Sequence, residues 1–232
     1  MTPMGGEAPA DVVEPQPAAS VILLRNTGDG LEILYLRRSP ALRFMGGYWV
    51  FPGGRIDPDD HAADDLDDLG PARRAAAREA EEEAGVRVDP ASLHPVGQWT
   101  TPTNSPIRFA TWFFAAEAAQ TPVQVDGVEI HAHQWHRPEQ ALRSHRTGRL
   151  KFANPTFVLT TRLAEHLTVR DALAAVDTWP REQMLGRILP VDGGRVALYA
   201  EDSGYEARRV DSVGPRHRVW MLDAGWRYER QF

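Results

Sequence analysis

The stretch that decides the fold is residues 51–86, which read FPGGRIDPDDHAADDLDDLGPARRAAAREAEEEAGV. Its second half predicts a helix, because Pro71 suits a first helical position, residues 72–84 are nearly all strong helix formers, and Gly85 supplies a stop. Small side chains spaced four apart form one stripe of this helix: Ala76, Ala80 and Ala84. We therefore expect the helix to pack closely against a sheet.

Another face of the helix is acidic. Glu79, Glu82 and Glu83 stand at i, i+3 and i+4, so three carboxylates share one side. Like charges at this spacing destabilise a helix by roughly 0.2–0.5 kcal/mol per pair. A hard divalent cation, which prefers oxygen ligands, would turn that repulsion into binding. The alternative is an acidic face that is only solvated, and the surrounding residues decide between the two.

Those surroundings carry a known motif. An aromatic residue, a proline and two glycines precede the helix, and Arg78 stands at the start of its acidic face. This arrangement resembles the Nudix box, G-x5-E-x7-R-E-U-x-E-E-x-G-U, where U is aliphatic. The matching residues are Gly54, Arg78, Glu79, Glu82, Glu83, Gly85 and Val86, with Ala80 as a small occupant of the first U position.

The chain departs from the Nudix box in two places. The first Glu of the box falls on Asp60, a shorter carboxylate. In addition, the segment between Asp60 and Arg78, residues 61–77, is about ten residues longer than the Nudix box allows. Residues 61–70 are polar and rich in Asp, so we interpret them as a loop inserted ahead of the helix. Long surface insertions add little closure cost, about 0.6 kcal/mol per doubling of loop length.

A second pattern precedes the box. Residues 38–54 read RSPALRFMGGYWVFPGG, similar to R-S-x3-R-x3-G-x3-F-P-G-G of Nudix enzymes that act on coenzyme A. The positions in register are Arg38, Ser39, Arg43, Gly47 and Phe51. Arginine suits bidentate phosphate contact, and coenzyme A carries a diphosphate and a ribose 3′-phosphate. The alternative is that these arginines are ordinary surface charges in a loop.

Residues 99–114 resemble the equivalent segment of peroxisomal Nudix coenzyme A hydrolases and their bacterial relatives. That subgroup also tolerates an insertion inside the box. The resemblance implies that the loop of residues 101–106 borders the substrate and that Arg108 contacts it. The aromatic residues of this segment fit a core as well as a base-stacking surface.

The resemblance covers about residues 19–168 and implies an α/β fold, the Nudix α/β/α sandwich with a mixed sheet. It implies that water attacks a diphosphate linked to another group, with Mg²⁺ or Mn²⁺ held by the acidic face. The implied metal ligands are Glu79, Glu82, Glu83 and the backbone carbonyl of Gly54. Arg78 would orient the glutamates, and the implied substrate-binding residues are Arg38, Ser39, Arg43, Gly53 and Arg108.

The favoured substrate is coenzyme A or acyl-CoA, cleaved to 3′,5′-ADP and a 4′-phosphopantetheine derivative. One alternative is another nucleoside diphosphate derivative, such as ADP-ribose or a dinucleotide. Another is a non-catalytic nucleotide-binding module, in which Asp60 and the insertion have removed catalysis. The general base stays open between Glu82, Glu83 and a loop carboxylate.

Composition limits the partners. The 232 residues carry a net charge of −6, which argues against a nucleic-acid-binding surface. The chain has no cysteine, which excludes disulfides and Cys-based zinc sites. No apolar run approaches the roughly 20 residues of a membrane span, and the N-terminus shows no secretory signal. We therefore expect a cytoplasmic protein with no membrane or nucleic-acid partner.

The remaining chain alternates strands and helices. Residues 1–18 are rich in Pro, Gly and Ala, which favours a disordered tail. The less favoured alternative is an arm that packs on a neighbouring molecule. Apolar runs predict strands at 20–25, 31–36, 86–88, 93–100, 107–115 and 125–135, and helices at 137–147, 156–166 and 168–175. His131 and His133 share one strand face, but two ligands do not make a zinc site. Glu129 lies where Nudix folds often place an auxiliary carboxylate.

The C-terminal extension, residues 169–232, predicts two hairpins. Residues 188–191 and 195–199 flank Asp-Gly-Gly, and residues 219–222 and 226–228 flank Asp-Ala-Gly. Exposed strand edges usually need a partner. We expect this β-rich extension either to close over the site or to pair with a second subunit in a homodimer.

Overall fold

The structure is a computed structural model, and it describes residues 12–63, 65–119 and 121–232. The helices are α1 (Leu69–Ala84), α2 (Pro138–Arg146), α3 (Asn154–Leu163) and α4 (Val169–Thr178). The strands are β1 (Gln16–Thr27), β2 (Gly30–Arg38), β3 (Trp49–Val50), β4 (Gly53–Arg55), β5 (His94–Thr100), β6 (Phe109–Glu117), β7 (Ile130–His136), β8 (Gln183–Leu185), β9 (Arg187–Val191), β10 (Gly194–Leu198), β11 (Arg216–Leu222) and β12 (Gly225–Gln231).

The main sheet is mixed and centres on β1. This strand pairs antiparallel with β2 in the predicted hairpin and parallel with β6 along its other edge. β5 then pairs antiparallel with β6 and parallel with β8. The short strands β3 and β4 add to β2 and β1, and β7 pairs with β2.

The two faces of the sheet are covered by different helices, because strand side chains alternate between faces. Val21 and Leu23 of β1 face α1, whose buried alanines give the close packing that the sequence predicts. Ile22 and Leu24 face the opposite layer, which contains Phe157 of α3 and Val169 of α4. The predicted α/β/α sandwich with a mixed sheet is therefore confirmed.

The C-terminal extension adds a second, four-stranded antiparallel sheet in the order β12-β11-β10-β9. Both predicted hairpins are present, as β9–β10 and β11–β12. Ala197 and Val219 of this sheet, and Tyr199 directly after β10, are buried in the same apolar cluster as Phe157. The predicted β-rich extension is confirmed, and it packs on the main domain. Pairing with a second subunit stays a prediction.

The predicted tail falls partly outside the described residues, which begin at Val12. Its predicted end at residue 18 is wrong, because β1 already begins at Gln16 and pairs there with Phe109. Arg108 also donates to the carbonyl oxygen of Val13 at 2.5 Å. These long-range contacts hold residues 13–18 against the main sheet.

Two predicted strand segments are also wrong. Residues 86–88 form no strand, because Val86 donates its N–H to Ala80 O and completes the end of α1, where Gly85 has a φ of 65°. Residues 125–129 precede β7 as a turn. The Asp126 carboxylate accepts backbone N–H groups there, including that of Glu129 at 2.9 Å.

Among the described residues, no helix combines the length and apolar character needed to cross a bilayer.

Candidate metal and substrate site

The predicted box residues line one cavity of about 740 Å³. Its walls come from α1, the glycine turn at β4, the loop after β2, and strands β5 and β6. The C-terminal sheet completes the lining. Glu79, Glu82, Glu83, Arg78 and Gly54 all face this cavity, so the fold brings the predicted metal-binding residues together.

The two glycines of the turn allow the backbone to approach α1 closely. The Gly53 N–H donates to Oε2 of Glu83 at 3.0 Å. A methyl group on Gly53 would collide with the backbone of Ala19, and one on Gly54 would overlap the Glu79 carboxylate. Any larger residue at position 54 would therefore displace a predicted metal ligand.

Arg78 organises the acidic face. Its Nη1 donates to Glu79 Oε1 at 2.9 Å and to Glu82 Oε2 at 3.0 Å. Its Nε and Nη2 donate to the two oxygens of Asp60 at 3.2 and 2.9 Å, and Nη2 also donates to the Arg55 carbonyl at 3.0 Å. The hydrogen bonds to Asp60, followed by those to Glu79, raise the pKa of Arg78. Arg78 therefore stays charged and holds both glutamates.

Asp60 replaces the first Glu of the box without losing contact with Arg78. Burial alone would raise the pKa of Asp60, but hydrogen bonds from Arg78 and the Asp57 N–H lower it overall. The Asp60 carbonyl accepts from Arg74 Nε at 2.6 Å, and Arg74 also binds Asp65 in the insertion at 2.5 Å. The insertion is thus tied to α1 at its start, which keeps Asp60 in place.

The protein stabilises the ionised forms of the two inner glutamates, Glu79 and Glu83, only in part. Burial raises the pKa of Glu83 to about 8, and the hydrogen bond from Gly53 opposes this shift only in part. Burial also raises the pKa of Glu79, against the opposing contact with Arg78. A cation in the cavity would stabilise both carboxylates, and an all-oxygen donor set suits Mg²⁺ or Mn²⁺. The residues present therefore fit a hard divalent ion.

The carboxylate groups of Glu79, Glu82 and Glu83 do not converge on a single point. Their ligand oxygens do not all lie within 4.8 Å of one another. Glu83 points to Gly53, whereas Glu82 is 57% exposed and rests on Arg78. Glu82 is thus the member with most freedom to move.

Of the predicted substrate-binding residues, Arg38 and Gly53 line the cavity. Arg38 Nη2 lies 3.5 Å from Glu129 Oε2, and its buried Nε has no hydrogen-bond partner among the described residues. Glu129 lines the cavity as well, and its role as an auxiliary carboxylate stays a prediction. Arg38 is therefore the predicted arginine that borders the cavity.

Three other predicted residues do not line the cavity. Ser39 is buried, accepts the Ala41 N–H and fixes the loop. Arg43 is exposed to solvent. Arg108 is buried, and its Nε donates to the Thr101 carbonyl at 3.0 Å. Its guanidinium binds backbone carbonyls and supports the fold, so it is not presented to a substrate.

Sequence reasoning missed the contribution of the C-terminal sheet. The residues that it places on the cavity wall are Ile188, Arg195, Tyr199, Met221 and Trp226. The two hairpin motifs gave the strands, and closure over the site was one of two predicted roles. No local pattern indicates which side chains face the cavity, because that depends on how the second sheet docks.

The fold and the site define a mixed α/β domain in which an acidic helix and a glycine turn face one cavity. A NUDIX domain family model matches residues 14–154, more than half of the chain, and the chain therefore belongs to the Nudix family. A probable nudix hydrolase of Schizosaccharomyces pombe is 41% identical over 73 residues. This match spans 31% of the chain and only 22% of that relative.

A crystal structure of a NUDIX hydrolase from Alicyclobacillus acidocaldarius shares the fold. Its TM-score is 0.61 at 24% sequence identity, and the match covers 73% of this chain and 98% of that one. The similarity supports the architecture described above.

Proposed function

We propose that the chain is a metal-dependent Nudix hydrolase that cleaves the diphosphate of coenzyme A or acyl-CoA. The products would be 3′,5′-ADP and 4′-phosphopantetheine or its acyl derivative. The observation that carries the hydrolase proposal is the position of Glu79, Glu82 and Glu83 on the wall of a 740 Å³ cavity beside the glycine turn. The curated hydrolase relative supports the same class of reaction.

Glu79, Glu82, Glu83 and the backbone carbonyl of Gly54 would hold Mg²⁺ or Mn²⁺. When bound, the ion would offset diphosphate charge and lower the pKa of a coordinated water. Arg78 acts through the glutamates, because its guanidinium already binds Glu79, Glu82 and Asp60. It is therefore a positioning residue.

Arg38 is the arginine we assign to substrate phosphate. Its guanidinium faces the cavity, and its Nε lacks a protein partner among the described residues. Arginine binds phosphate through charge-assisted hydrogen bonds. Arg55 and Arg195 also line the cavity and are exposed, so they can meet further phosphate groups. Coenzyme A carries a diphosphate and a 3′-phosphate, so its phosphate groups would contact more than one of these arginines.

The rest of the lining suits the remainder of coenzyme A. Phe44 and Phe109 line the cavity with their rings in an edge-on pair, 5.1 Å between centroids, and give an aromatic surface for a base. Met221 and Trp226 are partly buried and add an apolar wall that suits an uncharged chain. Ligand cavities for small molecules usually have volumes of roughly 300–1,000 Å³.

The test is a substrate panel with Mg²⁺: coenzyme A, an acyl-CoA, ADP-ribose and a dinucleoside polyphosphate. Products are separated by chromatography and identified by mass. We expect 3′,5′-ADP from both coenzyme A species at the highest kcat/KM. Preference for ADP-ribose would overturn the substrate while leaving the hydrolase class. Tight binding without turnover of any compound would favour the non-catalytic module.

A further inference from the structure

We propose a second metal site, for Zn²⁺, formed by Glu182, Glu201 and His217 outside the Nudix cavity. One potential ligand atom of each side chain lies within 4.8 Å of those of the other two. Across the part of the chain that the structure describes, this is the one place where three such side chains converge so closely. None of the three lines the cavity described above.

Glu182 supplies the observation that a purely structural network does not explain. Its side chain is only 10% exposed, and Oε1 accepts a hydrogen bond from Arg230 Nη2 at 2.5 Å. Oε2 is buried and has no hydrogen-bond partner among the described residues. A buried carboxylate oxygen without a partner is costly. A cation bound at Oε2 would remove that cost while Arg230 kept the other oxygen in place.

His217 is held as a metal-binding imidazole usually is. The residue is fully buried, with Nδ1 2.7 Å from Glu201 Oε2 and Nε2 3.0 Å from the Tyr228 hydroxyl. A hydroxyl can either donate or accept, so Tyr228 can accept from Nε2–H when a zinc ion replaces the proton between Nδ1 and Glu201. Fixing one ring nitrogen in this way orients the other toward a metal.

The ligand chemistry of the cluster favours zinc over magnesium. Arg230 binds Glu182 directly, and Arg162 lies close enough to influence the same group of side chains. These guanidinium groups offset part of the carboxylate charge and weaken the attraction for any cation, so the selectivity must come from the imidazole nitrogen of His217. One imidazole nitrogen with two carboxylate oxygens is a ligand set that Zn²⁺ accepts, whereas Mg²⁺ prefers oxygen alone.

The position of the cluster gives the ion a structural consequence. Glu182 immediately precedes β8 at the edge of the main sheet, whereas His217 lies on β11 of the C-terminal sheet. Glu201 follows β10 and is 39% exposed, so it offers a route from solvent. Zinc would therefore join the two sheets and stabilise the wall that the C-terminal sheet adds to the cavity.

Calorimetric titration of the whole protein with Zn²⁺, in excess Mg²⁺ to occupy the acidic helix, tests the site. We expect one zinc ion per chain and a rise in Tm on binding. Glu201→Gln and Glu182→Gln should each weaken zinc binding by about tenfold or more. Glu206→Gln is the matched control, because Glu206 is exposed and pairs with Arg187.

Glu201→Gln is the decisive variant, since Glu201 is the most exposed of the three ligands and we expect its replacement to preserve the fold. Its metal-free Tm, measured alongside, confirms folding. Anomalous diffraction at the zinc edge should place a peak beside Nδ1 of His217. Zinc binding that is equal in Glu201→Gln and Glu206→Gln, or a zinc peak only at the acidic helix, would overturn the proposal. Neither result bears on coenzyme A hydrolysis, which is measured separately.

Discussion

Arg78 donates hydrogen bonds to both carboxylate oxygens of Asp60, from Nε to Oδ1 at 3.2 Å and from Nη2 to Oδ2 at 2.9 Å. This pair joins the start of the inserted loop to the acidic face of α1. The shorter side chain at position 60 therefore still performs the contact that holds Arg78. The insertion lengthens the box in sequence but leaves its two halves in contact.

The pair predicts a positioning effect. Asp60→Ala should lower kcat by about 10- to 100-fold, because Arg78 loses the partner that orients it toward Glu79 and Glu82. KM should change little, since Asp60 does not line the cavity and Arg78 is bound to carboxylates. Steady-state kinetics with coenzyme A checks this, with Asp59→Asn as the control because Asp59 is exposed. A rise in KM at constant kcat would show instead that Asp60 acts on substrate binding.

The glycine turn predicts a steric effect. Gly54→Ala places a methyl group on the Glu79 carboxylate and should lower kcat by about a hundredfold. Gly28→Ala is the matched control, because no atom lies within 4 Å of the added carbon. If both variants kept full activity, the position of Glu79 would not matter for turnover. Circular dichroism on both variants separates this effect from unfolding.

Much of the site could be predicted because its signals are local. Helix formers, a stop at Gly85 and carboxylates at helical spacing specify α1 and its acidic face within a few turns of chain. The contacts that sequence reasoning got wrong are long-range. Arg108 looks like a phosphate ligand in sequence but binds the carbonyl of Val13, far away along the chain. The cavity wall made by Trp226 likewise depends on docking between sheets.

The C-terminal sheet contains a buried ion pair whose titration predicts acid sensitivity. Arg218 binds Asp202 through Nε at 2.6 Å and Nη2 at 2.5 Å, and both side chains are buried. Burial alone would raise the pKa of Asp202. The hydrogen bonds from Arg218 and from the backbone N–H groups of His217 and Gly204 outweigh burial and lower it.

Because the folded pKa of Asp202 lies below its unfolded value of about 3.9, the ionised carboxylate stabilises the fold above that pH. This contribution is lost as the pH falls through the folded pKa. Urea unfolding from neutral pH to about pH 3 should show a loss of stability that is smaller in Asp202→Asn. Parallel pH curves for the two proteins would contradict the assignment.

Replacing Arg218 alone should strongly lower the stability of the fold. Arg218→Met leaves Asp202 buried without its charged partner, and such losses cost about 3–5 kcal/mol. The free energy of unfolding, measured in urea at neutral pH, checks this prediction. Arg209→Met is the control, because Arg209 makes a similar pair with Asp211 on the exposed surface. A cost equal to that of the control would show that the buried pair contributes no more than a surface pair.

The central claim is that the carboxylates facing the cavity perform metal-dependent hydrolysis. The most direct measurement is coenzyme A turnover with Mg²⁺ for Glu82→Gln, compared with Glu81→Gln on the same helix. Glu81 is exposed, binds Arg87 and does not line the cavity. We predict that Glu82→Gln abolishes formation of 3′,5′-ADP with its Tm retained, while Glu81→Gln keeps wild-type activity. Full turnover by Glu82→Gln, or turnover that persists after chelation of all divalent ions, would contradict the account.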